Sequence, residues 1–148
     1  MVPLIARHGY DILLVEDDAA DAVLIQEALS ERDTRAITRV PDGVAALEYL
    51  RDPSTTTPDL IVLDLNMPRM SGRELLHVLK NDEELKAIPV VVLTTSGAPE
   101  DVAASYRNHS NAYVTKPMNL DDFARAVRSI DAFFLETATL PEQSPPRD

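Results

Sequence analysis

Asp64 closes the apolar run Asp59-Leu60-Ile61-Val62-Leu63 and is followed by Leu65-Asn66-Met67-Pro68. An apolar run that ends on one carboxylate and then breaks at Asn and Pro reads as a buried parallel strand delivering an acid to a sheet edge. Three other runs end on polar groups in the same way. Ile12 to Val15 ends on Glu16-Asp17-Asp18, Val90 to Leu93 on Thr94-Thr95, and Ala112 to Val114 on Thr115-Lys116-Pro117. Ligands of an open α/β sheet bind beyond the carboxyl ends of its strands, so these termini predict one site holding acids, a hydroxyl and an amine.

Glu16, Asp17 and Asp64 in one crevice would repel one another, and a divalent cation resolves that conflict. Carboxylate, carbonyl and water oxygens are hard ligands that favour Mg2+ or Mn2+ over Zn2+. The chain has no cysteine, and His8, His77 and His109 have no spacing that suggests a metal site. With acids holding a metal, one carboxylate free to attack, and Thr94 and Lys116 to bind phosphoryl oxygens, the indicated chemistry is phosphoryl transfer onto a carboxylate, giving an acyl phosphate.

Composition narrows the partners. The chain has 148 residues, 14 basic against 25 acidic, and a net charge of −11. That length suits one domain with a single core. No basic patch marks a nucleic-acid surface, and the charge disfavours an anionic membrane. No apolar stretch is long enough to span a bilayer and no signal-peptide pattern opens the chain. With the absence of cysteine, these features fit a cytoplasmic protein.

The elements that must position the site alternate strand and helix. Strand one is read over Tyr10–Val15, helix one over Ala19–Glu31 with Asp18 as its N-cap, and strand two over Ala36–Val40. Asp42 caps helix two. Strand three runs to Asp64, and Ser71-Gly72-Arg73-Glu74 forms a capping box for helix three. Strand four is Val90–Leu93, Pro99 suits the first turn of helix four, and strand five is Ala112–Thr115. Helix five carries Leu120, Phe123, Ala124, Val127, Ile130 and Phe134 on one stripe. Five βα units with right-handed crossovers predict a flavodoxin-like (βα)5 doubly wound parallel sheet of order 2-1-3-4-5, with its switch point between strands one and three.

Val15-Glu16-Asp17-Asp18, Leu63-Asp64-Leu65-Asn66-Met67-Pro68, Ser71-Gly72, Leu93-Thr94 and Lys116-Pro117 stand in the order and on the elements of one known family. From Tyr10 to Phe134 the chain resembles the receiver domains of two-component response regulators. The resemblance implies that Asp64 accepts phosphate from a phosphohistidine on a sensor histidine kinase. It implies that Asp17 ligates Mg2+ directly, Glu16 through a water, and Asn66 through its backbone carbonyl. Thr94 would bond the phosphoryl group and move toward it, Lys116 would pair with its oxygens, and the rotamer of Tyr113 would follow Thr94. Ser96 sits where such receivers tune dephosphorylation. Glu rather than Asp at position 16 is a mild departure.

Within that family, Val91-Val92-Leu93-Thr94-Thr95-Ser96 and Phe133-Phe134-Leu135-Glu136-Thr137 look like the stand-alone type associated with phytochromes. That likeness implies a phytochrome kinase as donor, and a protein target or phosphotransfer protein downstream. Residues 1–135 read as the receiver and 136–148 as a C-terminal extension. Phe133, Leu135 and Leu140 fall partly outside the helix-five stripe, which favours a homodimer formed through helix five and this arm. The Pro-rich end from Glu142 to Asp148 reads as disordered. Two rivals are a haloacid-dehalogenase-type phosphatase and a pseudo-receiver that is never phosphorylated. The first wants a second Asp where Asn66 stands; the second leaves a complete set of side chains without a use.

Overall fold

A computed structural model describes residues 9–31 and 34–141. The described residues form five strands: β1 (Tyr10–Val15), β2 (Arg35–Val40), β3 (Leu60–Leu63), β4 (Val90–Thr94) and β5 (Ala112–Thr115). They form one parallel sheet in the order β2-β1-β3-β4-β5, as predicted from the sequence. The helices are α1 (Ala19–Leu29), α2 (Gly43–Arg51), α3 (Gly72–Lys80), α4 (Pro99–Arg107) and α5 (Leu120–Asp131), which runs into a π-helical segment at Ala132–Thr137.

Strand alternation divides the core in two. Ile12, Leu14, Leu60, Val62, Val91 and Leu93 face α1 and α5, meeting Ile25, Leu29, Phe123, Val127 and Ile130. Leu13, Val15, Ile61, Leu63 and Val90 face the other way, onto Leu47 of α2 and Leu75, Leu76 and Leu79 of α3. Burial on both faces is why β3 and β4 read as unbroken apolar runs. In α4 only Ser105 is buried.

The helix starts follow the caps read from the sequence. Asp18, Asp42 and Ser71 accept backbone N–H bonds from Asp21, Ala45 and Glu74, and the Glu74 carboxylate accepts the Ser71 N–H in turn. Pro99 opens α4. Differences are local. Helix α1 ends at Leu29, two residues before Glu31, and Ser30 N–H closes it on the Gln26 carbonyl. Leu120 leaves the stripe assigned to it: it is 64% exposed, because as the first residue after the N-cap Asn119 it precedes the turn that meets the sheet, which Phe123 enters first.

The C-terminal end also differs. Leu135 is buried in the core shared with α1 and α5, and the half-buried Leu140 packs against that core; Phe133 is exposed. The expectation of a disordered end over 142–148 lies outside the described residues. Arg35, at the start of β2, is buried and bonds both oxygens of Asp131, at 2.7 and 3.2 Å, and Glu136 at 2.7 Å. This link ties the π-helical segment to the edge strand.

Candidate functional site

The ladder extends one residue past β1, β3 and β5. Asp64 N–H donates to the Val15 carbonyl at 3.0 Å, Glu16 N–H to Val40 at 3.1 Å, and Lys116 N–H to Thr94 at 2.6 Å. These bonds keep four strand ends in register, so the side chains that follow them converge. Oxygen atoms of Glu16, Asp17 and Asp64 lie within 4.8 Å of one another. Lys116 Nζ donates to Glu16 Oε1 and to Asp21 Oδ2, each at 2.8 Å, and lies 3.7 Å from Asp64 Oδ2.

The loop after Asp64 is held by Gly72. Its N–H donates to the Leu65 carbonyl at 2.9 Å. A Cβ at this position would collide with the Asp64 carbonyl and stand 2.7 Å from Leu65 Cα. Only glycine lets the N-terminus of α3 approach the acceptor loop this closely. Opposite it, Arg39 of β2 donates to the Glu16 carbonyl at 2.9 Å and the Asp17 carbonyl at 3.1 Å, fixing the backbone of the acid pair.

Burial sets the electrostatics. Glu16 is buried, and loss of water pushes its carboxyl up to about 7; the hydrogen bond from Lys116 opposes that and the charge of Asp64 adds to it. Burial works against the Lys116 ammonium, but its bonds to Asp21 and Glu16 and the charge of Asp64 hold it above the ordinary lysine value. Three carboxylates, those of Glu16, Asp21 and Asp64, stand within 3.7 Å of the Lys116 ammonium. Asp17 is exposed, whereas the Asp64 side chain keeps only 9% of its surface in water, deeper than a strand-edge acid read from sequence. A cavity of about 350 Å³ beside it is lined by Asp17, Leu65, Asn66, Met67, Pro68, Ser71 and Arg73. Thr94 is wholly buried, and its hydroxyl has no hydrogen-bond partner among the described residues.

Clustered hard oxygens, with no histidine or cysteine among them, suit a hard divalent cation. The response regulator receiver domain model matches residues 12–128. The chain belongs to that family. It is 48% identical over 136 residues to response regulator Rcp1 of Synechocystis sp., covering 88% of this chain and 92% of the relative. The fold is similar to that of the phosphorylated cyanobacterial phytochrome response regulator RcpA, with a TM-score of 0.88 at 46% identity over 90% of this chain and 99% of that one. It is similar to the Mn2+-bound form of Rcp1, at 0.87 and 46% over the same shares.

In this receiver, Glu16, Asp17, Asp64, Thr94 and Lys116 all stand at the carboxyl end of the sheet, as read from the sequence. Asn66 lines the cavity with Asp17. Tyr113 is half-buried and donates its hydroxyl to the Ser96 carbonyl at 2.6 Å. Sequence reasoning missed Asp21, the second carboxylate on Lys116, though its place three residues after the cap Asp18 puts it one turn along α1, above the same strand ends. It also missed Arg39 and Arg73, which nothing in the apolar pattern marks. Among the described residues no helix is long and apolar enough to cross a membrane.

Proposed function

We propose that this receiver is a phosphorylation switch whose acceptor is Asp64. The observation that carries the reading is the convergence of Glu16, Asp17 and Asp64 within 4.8 Å, with the Lys116 ammonium 3.7 Å from Asp64. A carboxylate oxygen of Asp64 forms the new bond to phosphorus. The bond from phosphorus to the donor's imidazole nitrogen breaks, and its electron pair stays with the imidazole. Glu16, Asp17, Asp64 and the Asn66 carbonyl would hold a Mg2+ or Mn2+ ion, which supplies positive charge for the phosphoryl oxygens. Lys116 supplies a second positive charge, and the Thr94 hydroxyl, unpartnered among the described residues, would donate to a phosphoryl oxygen. As Thr94 moves, Tyr113 follows, and the face made by α4, β5 and α5 changes shape.

The likeness to RcpA and Rcp1 supports a phytochrome-type sensor histidine kinase as donor. The output is a protein contact or onward transfer to a phosphotransfer protein, in the cytoplasm. The receiver catalyses only its own phosphorylation and dephosphorylation. Residues 136–148 are read as an extension rooted on the receiver through Glu136 and Leu140. A second copy would meet it at Phe133 and Phe134 rather than at the occupied Leu135. Incubation with acetyl phosphate and Mg2+, followed by intact-mass measurement, tests the acceptor. One phosphoryl group is expected on the wild type and none on Asp64→Asn. Turnover of phosphate esters, or an adduct that survives Asp64→Asn, overturns the reading.

A further inference from the structure

A continuous polar chain leads from the acceptor loop to β5 without passing through Thr94. Arg73, in the first turn of α3, donates to Asn66 Oδ1 at 3.3 Å. The same guanidinium meets Asp101, in the first turn of α4, at 3.1 Å and 3.3 Å. The other oxygen of Asp101 accepts the Ser96 hydroxyl at 2.5 Å, and Ser96 Oγ accepts Ala98 N–H at 3.3 Å. The Ser96 carbonyl holds the Tyr113 hydroxyl. One ion pair thus ties down Asn66, beside the acceptor, and Ser96, in the loop that must move if Thr94 is to move.

Little else holds α4 to the body, since its only buried residue is Ser105. Polar ties therefore decide where its first turn and the preceding loop rest. The Ser96 hydroxyl, and then Arg73, hold the Asp101 carboxyl below its usual range, so it stays ionised and engaged. We propose that Arg73 and Asp101 are a latch: their ion pair holds the loop over 95–98 in its resting place and opposes the shift of Thr94 toward a phosphorylated Asp64. Both are positioning residues, and the inference rests on Asp64 being the acceptor.

A simple charge effect predicts something different. Arg73 lines the cavity beside the acceptor together with Asp17, and if it served to attract an anionic phosphodonor, removing it would slow phosphorylation while removing Asp101 would speed it. A latch gives the same sign for both. The test measures the rate at which acetyl phosphate, at saturating Mg2+, adds one phosphoryl group to the wild type, Arg73→Gln, Arg73→Lys and Asp101→Asn. Arg73→Gln and Asp101→Asn are each expected to be about threefold faster, the factor that ~0.65 kcal/mol gives at about 1.36 kcal/mol per tenfold. Arg73→Lys, which keeps the charge, falls between them and the wild type.

A second readout needs no chemistry. Without any phosphoryl analogue, the Gly97 amide resonance of Arg73→Gln should lie part-way toward the position it takes in wild type with beryllofluoride and Mg2+. Equal melting temperatures exclude general loosening as the cause. An Arg73→Gln protein no faster than wild type, or a Gly97 resonance that stays in place, overturns the latch while leaving the acceptor intact. Absence of any adduct on the wild type overturns the acceptor and the latch together.

Discussion

Thr94→Val removes one oxygen and changes little else, and the structure predicts opposite effects in the two states of the switch. The Thr94 side chain is wholly buried and its hydroxyl lacks a partner among the described residues. A buried polar group left without a bond costs about 1–3 kcal/mol. Valine has the same shape and keeps the preference for a strand, so the resting protein should gain about 1 kcal/mol. At a slope near 2 kcal/mol per molar urea, the unfolding midpoint rises by about 0.5 M.

With beryllofluoride and Mg2+ bound the sign reverses. The wild-type hydroxyl then meets a charged acceptor, an interaction of about 1.5–3 kcal/mol that valine cannot make. Adding the resting penalty that binding relieves, the variant should hold the analogue more weakly by at least about 2.5 kcal/mol, close to seventyfold at about 1.36 kcal/mol per tenfold. Urea titrations of both proteins, with and without the analogue, supply all four numbers. A midpoint that falls in Thr94→Val means the hydroxyl has a resting partner, and equal affinity for the analogue means Thr94 does not read the acceptor. Either result refutes the reasoning.

Two further outcomes follow from buried charge. Asp131→Ala leaves the fully buried Arg35 side chain with Glu136, whose side chain is 43% exposed, and breaking such a pair costs about 3 kcal/mol; a drop in melting temperature of about 6–12 °C is expected, and a loss below about 2 °C would remove the network from the account of stability. Burial raises the Glu16 carboxyl to about 7 in the fold from an ordinary value of 4.5, so between those values the metal-free folded state carries a proton that the unfolded chain lacks. Its contribution to stability is therefore present at pH 4.5 and lost as pH rises through 7. A cation must displace that proton, so the rise in melting temperature on replacing EDTA with Mg2+ should be larger at pH 8 than at pH 5.5, and a rise independent of pH would place Glu16 outside the metal site.

How far the sequence could be read depended on whether a feature was local. Caps at Asp18, Asp42 and Ser71 act within one turn, and the strands over Leu60–Leu63 and Val90–Thr94 are buried on both faces, so all were legible. The site was legible because a parallel sheet places every strand's carboxyl end on one edge. Arg35 and Asp131 were not, being 96 positions apart in a contact no periodicity encodes. Leu135 looked surplus because a stripe drawn at 3.6 residues per turn assumes an α-helix. The chain widens there into a π-helical turn, closed by Ala138 N–H on the Phe133 carbonyl at 2.7 Å, and Leu135 turns inward.

The resting site is stressed in a way its scaffold cannot relieve. Glu16, Asp21 and Asp64 share one ammonium, and the Thr94 hydroxyl has no partner among the described residues. The strand ends cannot separate to ease this, because ladder bonds at Asp64 and Lys116 hold them in register and buried leucines and valines fill the space behind. Helix α1 is set by Ala22, Ile25, Ala28 and Leu29, and α3 by Leu75, Leu76, Leu79 and the close approach at Gly72. Relief must come from an added cation and phosphoryl group, and any adjustment they demand falls on the element with least buried surface. That element is α4 with the loop before it, so the direction of the signal follows from where the core is thin rather than from the chemistry at Asp64.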